Sequence, residues 1–311
     1  MARSGKILVI RGGAIGDFIV TLPVLKALRT MFPSAGVEVL CPQRVGELAV
    51  ASGHADDFRP LEARGLAPFF APIGQLDADW RMYFNRFAVV ISYLYDYDGT
   101  FQSNVLKSGA MQFIQGIHRP SDTASTHASD QLLKTLEAVA IFDADGSPEL
   151  RFEEADVAGK NSGQEMVIAL HPGSGSESKN WPVNRWVILA EALAADPRHR
   201  FLLIGGEADE KRLQAVAQAL PADRTTEVFR QSLMQAAREL RTASLFVGHD
   251  SGISHLAAAL GLRGILLWGP TNETVWRPRS ERFDVIRHPA GIAAIQPDTV
   301  HAAIVRRLAA D

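Results

Sequence analysis

The sequence predicts an α/β protein of two domains, each built on a parallel sheet, the two facing each other across a cleft. Three observations predict this. Short apolar runs of strand length recur along the chain, amphipathic helical patterns lie between them, and each half opens on the same plan of strand, glycine-rich turn and helix. Strands that alternate with helices give parallel sheets covered on both faces, because each crossover packs its helix back onto the sheet.

In the N-terminal half the strand-like runs are Ile7 to Ile10, Val37 to Leu40 and Val89 to Leu94, with helical periodicity over Phe18 to Phe32 and Asp130 to Ala140. In the C-terminal half the runs are Val167 to Leu170, Phe201 to Ile204, Leu245 to Val247 and Gly264 to Trp268. Helical patterns there cover Val183 to Ala195, Glu210 to Ala219, Leu233 to Ala243 and Ser254 to Leu260. The stretch Asp143 to Gly163 has no period and reads as the linker, which places domains at 1–155 and 156–311. The tail, Pro297 to Ala310, carries Val300, Ile304 and Leu308 on one helical face and can pack on either domain, including across to the N-terminal one.

Residues 66 to 104 read as loop-rich, with Phe69, Phe70, Trp80, Tyr83, Phe84, Tyr93, Tyr95 and Tyr97 among Arg81, Arg86, Asp96 and Asp98. Most of these rings belong to core or lid packing; any left exposed suit a sugar ring or a membrane-surface acceptor.

A chain of 311 residues with 47% hydrophobic content has enough apolar material for two cores. Its 32 basic and 35 acidic residues leave a net charge of -3, a balance that does not point to nucleic acid. The single cysteine, Cys41, excludes an internal disulfide framework and a cysteine-cluster metal site, so a reducing cytoplasmic compartment is expected. The run after Ala2 to Lys6 is too short for a signal peptide, and no run approaches the twenty or so apolar residues of a membrane span.

Three turns carry residues fit for chemistry. The first, Arg11-Gly12-Gly13-Ala14-Ile15-Gly16-Asp17, misses the Gly-x-Gly-x-x-Gly spacing of a dinucleotide site. Asp17 there is either a first-turn carboxylate favoured by the helix dipole or a base that takes a proton from an attacking hydroxyl. The second runs from His171 to Pro182 after an apolar strand. Its small residues let backbone N–H groups approach a phosphate, and Lys179 adds a full charge. It lacks the Gly-Lys-Ser/Thr ending of a P-loop, and its alternative is an ordinary loop with a solvated lysine. The third is Gly248-His249-Asp250-Ser251-Gly252-Ile253-Ser254-His255, a strand end leading into an alanine-rich helix. It offers N–H groups for phosphate oxygens and Asp250 for sugar hydroxyls, while His255 fits a satisfied helix position as well as a site. Glu207 after Gly205-Gly206 stands where a carboxylate can hold a ribose, or can simply be solvated. Gly269-Pro270-Thr271-Asn272 can close the same pocket.

Taken together, these motifs resemble glycosyltransferase family 9, the lipopolysaccharide heptosyltransferases. The resemblance rests on Ile7 to Asp17 leading into Thr21-Leu22-Pro23-Val24-Leu25-Lys26-Ala27-Leu28, on His171-Pro172-Gly173-Ser174 with Lys179-Asn180-Trp181-Pro182, and on Asp250-Ser251-Gly252 with His255-Leu256-Ala257-Ala258. It implies the GT-B architecture of two Rossmann-like domains, with the acceptor on the N-terminal domain and a nucleotide-sugar donor on the C-terminal one. By the same resemblance Asp17 is the general base and Lys179 the partner of the donor diphosphate. Ser174, Gly175, Ser251 and Gly252 line the phosphates, Asp250 binds the transferred sugar with His255 close by, and Glu207 holds the ribose. Arg11 and Gly13 fall near the acceptor or the phosphates. Two departures from the family pattern stand out: His249 in place of the usual asparagine, and Ile253-Ser254 in place of a proline and hydrophobic pair.

The function implied is an inverting sugar transfer, with heptose from ADP-heptose as the family's best-known donor. The acceptor is a lipopolysaccharide-core or related lipid-linked glycan at the inner face of the cytoplasmic membrane. No cofactor, metal or nucleic-acid partner is expected, and the enzyme is expected to be a monomer. A nucleotide-sugar epimerase of similar fold and a non-catalytic nucleotide- or glycan-binding relative are the alternatives, since fold does not settle function.

Overall fold

A computed structural model describes residues 5–152 and 165–309. The chain divides into two compact units, Met1–Pro148 and Glu149–Asp311.

The first unit holds β1 (Lys6–Ile10), α1 (Ile15–Ile19), α2 (Leu22–Met31), β2 (Gly36–Cys41), α3 (Gln43–Ala51), β3 (Asp57–Pro60), α4 (Ala78–Phe84), β4 (Phe87–Ser92), α5 (Thr100–Lys107), β5 (Gln112–Gln115) and α6 (Ala128–Leu133). Its sheet runs β3-β2-β1-β4-β5, every pairing parallel. Val9 pairs with Val39 on one side and Ile91 on the other, so β1 lies at the centre, and Ile7 to Ile10 are buried throughout. One core cluster joins Leu8, Ile10, Leu40 and Val90 to the rings of Phe69, Trp80, Tyr83, Phe84, Phe87 and Phe101. Residues 66 to 104 are therefore not loop-rich: a 3-10 helix over Arg64–Phe70, then α4, β4 and α5, fill most of that span. Its aromatic crowding hid the short helices. The helix expected over Phe18 to Phe32 is two, because Pro23 has no N–H to continue the ladder back to Ile19 and stands instead in the first turn of α2. The helix expected over Asp130 to Ala140 likewise starts as α6 and continues as a 3-10 helix over Lys134–Val139.

The second unit holds β6 (Met166–Leu170), α7 (Val183–Ala194), β7 (His199–Gly205), α8 (Glu210–Gln218), β8 (Thr225–Phe229), α9 (Leu233–Leu240), β9 (Leu245–His249), α10 (Gly252–Ala259), β10 (Gly264–Leu267), α11 (Glu273–Trp276), β11 (Phe283–Ile286) and α12 (Pro297–Leu308). Its sheet runs β11-β10-β9-β6-β7-β8, again parallel throughout. Strand order reverses between β6 and β9, and such a switch point opens a crevice at the carboxyl ends of the strands, where α/β sheets bind ligands. Trp181, Trp186, Leu189 and Leu193 fill the core below it with Ile168, Leu170 and Val247.

The expected domain boundary at 155/156 lies outside the described residues. Asp145 pairs with Lys26 at 3.0 Å within the first unit, whereas the Leu150 N–H donates to the Ala259 carbonyl at 2.8 Å within the second. The terminal helix α12 packs on α7, β9 and β10 of its own unit. Among the described residues, no helix is long and apolar enough to cross a membrane, and no group of three or more His, Cys, Asp or Glu is placed to hold a metal ion. Cys41 is buried, and burial together with Glu62 pushes its thiol up to about 12.

Candidate active site

In the first unit the site residues gather at the carboxyl end of β1. Gly13 takes φ +98, and a Cβ there would fall 2.6 Å from Asp17 Oδ2, so only glycine lets the turn close over the carboxylate. Asp17 stands in the first turn of α1 and accepts the Ala14 N–H through Oδ2 at 2.8 Å. Arg11 is almost fully buried behind it. Its guanidinium lies 3.3 Å from Asp17 Oδ1, donates to the Asp17 carbonyl at 3.2 Å, and donates to the His118 carbonyl at 2.8 Å. Burial lowers the Arg11 pKa, and Asp17 and Tyr93 act against that shift by favouring its charge. An arginine stays charged there, so its role is to hold the Asp17 carboxylate in one orientation. Gly13 and Arg11 thus shape and brace Asp17. His118 was not singled out from the sequence, since it lies 107 positions from Arg11 and contributes only its carbonyl.

In the second unit the turns after β6, β9 and β10 converge. Lys179, in a 3-10 turn over Glu177–Lys179, places Nζ 2.7 Å from Asp250 Oδ2, and the same oxygen accepts Thr271 Oγ1 at 2.8 Å. Asp250 is buried and Lys179 partly so, an arrangement in which the attraction between the two charges is screened weakly. Lys179 precedes the helix proper: α7 starts at Val183 with Pro182 as its cap.

His249 organises this cluster. Its Nε2 faces two donors, the Trp181 N–H at 3.0 Å and Trp186 Nε1–H at 3.3 Å, and so must accept; Nδ1–H then donates to the Gly173 carbonyl at 3.2 Å. Burial drives its pKa down to about 3, with the neighbouring His171 adding to the fall and the Gly173 bond opposing it. The imidazole is neutral and pins both ends of the Gly173 to Trp181 turn. Gly173 itself lies where a Cβ would overlap the Asp209 carboxylate. His171, also buried, approaches the Ile204 carbonyl through Nδ1 at 2.8 Å, and burial lowers its pKa too.

Ser251 caps α10 by accepting the Ser254 N–H at 3.2 Å, and Ser254 Oγ donates to the His249 carbonyl. The Gly252 and Ile253 N–H groups belong to the first turn of that helix and have no intrahelical acceptor there, so they are the donors α10 can offer to an anion. Ser174 Oγ lies 2.7 Å from Asn180 Oδ1 and 2.9 Å from the Ser176 carbonyl, which makes it a brace of the turn. Gly175 takes φ +70 beside it. His255 is buried on α10. Glu207 follows β7 with its side chain 81% exposed and Arg230 at 3.9 Å. The fold places Lys179, Asp250 and Thr271 together with the α10 cap; Glu207 stands at the neighbouring strand end.

Chemically the second unit offers a lysine charge and a helix N-terminus at a switch point, which is what a departing phosphate requires. The first offers a braced, partly exposed carboxylate. A family model for glycosyltransferase family 9 (heptosyltransferase) matches residues 100–297, from α5 to the start of α12. A curated relative, lipooligosaccharide heptosyltransferase 2 of Haemophilus influenzae, is 29% identical over 130 residues, 40% of this chain and 37% of that one. The chain thus spans little more than a third of the length of the curated relatives it matches. Among solved structures, a family 9 glycosyl transferase from Veillonella parvula superposes with a TM-score of 0.79 at 18% identity, covering 99% of this chain and 98% of that one. ADP-heptose lps heptosyltransferase II of E. coli superposes with a TM-score of 0.79 at 20% identity, over 97% and 98%. The two parallel-sheet α/β units are those of the GT-B heptosyltransferases.

Proposed function

Because the chain belongs to glycosyltransferase family 9, we propose that it transfers a sugar with inversion, most simply heptose from ADP-heptose, onto a lipopolysaccharide-core or related lipid-linked glycan at the inner membrane face. The observation that carries this reading is the Lys179–Asp250–Thr271 cluster beside the cap of α10, a cation and open N–H donors set together at a switch point. In this reading the acceptor hydroxyl attacks the anomeric carbon of the donor and Asp17 takes its proton. The bond from that carbon to the diphosphate oxygen breaks, and the nucleoside diphosphate leaves from the opposite face. Negative charge that builds on the leaving oxygen is met by Lys179 and by the Gly252 and Ile253 N–H groups, without a metal. Asp250 holds the ammonium in place before the donor arrives, and its second oxygen is available to sugar hydroxyls. Ser174 and Gly175 keep the turn open to phosphate, His255, buried on α10, lies close to the transferred sugar, and Glu207 receives the ribose. The Arg11 guanidinium keeps the Asp17 carboxylate oriented, and Gly13 leaves room for it.

The test is transfer itself. Purified enzyme with ADP-heptose and heptose-deficient lipopolysaccharide, in excess EDTA, should yield a product heavier by one heptose, with inverted anomeric configuration by NMR. Absence of transfer with every nucleotide-sugar tried, or transfer restored only by added manganese, contradicts the reading.

A further inference from the structure

The loop between β4 and α5 holds two large aromatic side chains outside the core, Tyr95 at 66% exposure and Tyr97 at 82%. Their rings are nearly parallel, 25° apart with centroids 5.9 Å from each other, and the His118 ring meets Tyr95 edge-on at 4.9 Å. His118 is the residue whose carbonyl receives Arg11, and Arg11 holds Asp17. Tyr95 is therefore linked to the candidate base through two residues of the same unit, His118, by its ring and its backbone carbonyl, and Arg11.

This loop is fastened on every side. Asp96 accepts the Phe101 N–H through one oxygen at 3.0 Å and the Gln102 N–H through the other at 2.9 Å, and Asp98 accepts the Thr100 N–H at 3.1 Å. Both carboxylates are thus engaged by the start of α5. Tyr93 is buried and donates its hydroxyl to the Leu132 carbonyl at 3.0 Å, while Gln115 Nε2 reaches the Leu94 carbonyl at 2.8 Å. Two exposed rings on so constrained a turn form a largely preorganised surface, because the backbone that carries them is already ordered before binding. An aromatic face carries negative charge density that complements the C–H groups on one side of a pyranose ring, and the phenol hydroxyls remain free to turn toward sugar oxygens.

We infer that Tyr95 and Tyr97 form a stacking platform for a sugar ring of the acceptor, and that this platform presents the acceptor hydroxyl to Asp17. The inference rests on the sugar-transfer reading for the identity of the substrate, and the platform itself can be tested apart from it. Full-length wild-type enzyme, the Tyr95→Ala/Tyr97→Ala variant and the Tyr95→Phe/Tyr97→Phe variant are compared with a deacylated, heptose-deficient core oligosaccharide as probe. Removing both rings should raise the acceptor KM by about tenfold or more, the range typical of losing aromatic anchors. KM for ADP-heptose should not move, and the phenylalanine variant should stay close to wild type, because stacking needs the rings. Saturation transfer from tyrosine ring protons to sugar C–H protons, measured without donor, should appear in the wild type and vanish in the alanine variant. Absence of that transfer in the wild type, its persistence in the alanine variant, or an unchanged acceptor KM overturns the platform. A wild type that shows saturation transfer but moves no sugar would count against the transferase reading and leave the platform standing.

Discussion

Replacing His249 with asparagine should change how the protein responds to acid. In the folded protein the His249 imidazole has a pKa of about 3, because it is buried and its Nε2 already accepts two N–H groups. An unfolded histidine titrates near 6.5. The unfolded chain therefore binds a proton that the folded chain refuses, and stability is present above about 6.5 and lost as pH falls toward 3. Between pH 7 and pH 5 the loss from this one group is about 2 kcal/mol, a figure that hardly depends on where the folded value lies below 4. Urea unfolding followed by tryptophan fluorescence suits the measurement, since Trp181, Trp186, Trp268 and Trp276 all lie in the C-terminal unit and two of them touch His249. Wild type should lose about 2 kcal/mol more than His249→Asn over that pH interval. Equal losses in the two proteins would refute the argument that His249 is held neutral as the clamp of the Gly173 to Trp181 turn.

Other expectations follow from the same geometry. Asp17→Asn keeps an acceptor for the Ala14 N–H but removes the base, so kcat should fall by roughly 10²–10⁴ with donor affinity unchanged; steady-state kinetics and calorimetry separate the two. Gly13→Ala forces a Cβ against Asp17 Oδ2 at φ +98, and should lower stability by about 1–2 kcal/mol while reducing kcat more than that loss accounts for. Cys41, buried with its thiol raised to about 12, should resist a thiol reagent at pH 8 in the native protein and react at once in denaturant; rapid native labelling would contradict the burial.

Which strands could be read in advance follows from where they sit in the sheets. The central strands were visible as apolar runs because both of their faces are covered. The four missed strands, Asp57–Pro60, Gln112–Gln115, Thr225–Phe229 and Phe283–Ile286, are the four sheet edges. Each is short and carries polar or charged residues facing solvent, so no period marks it. The turns with Asp17, Lys179 and Asp250 stood out because small residues sit beside charge there, and the structure places each of them just past the carboxyl end of a strand. What local sequence cannot carry is pairing over distance. His249 meets Trp181 across 68 positions and Gly173 across 76, and its place in the sequence showed only a departure from the asparagine of related chains. Arg11 was expected near the acceptor or the phosphates; that it is buried and braces Asp17 could not be read from its local sequence. The family match begins at residue 100, so Asp17 and Arg11 rest on their own geometry.

In the proposed function the turn bearing Lys179 receives the diphosphate of a nucleotide-sugar. Calorimetric titration of ADP-heptose into wild type and Lys179→Ala tests it most directly. The wild type should bind, and the variant should bind at least about tenfold more weakly, the loss expected when a charge-assisted phosphate contact is removed. Equal affinities in the two proteins would contradict it.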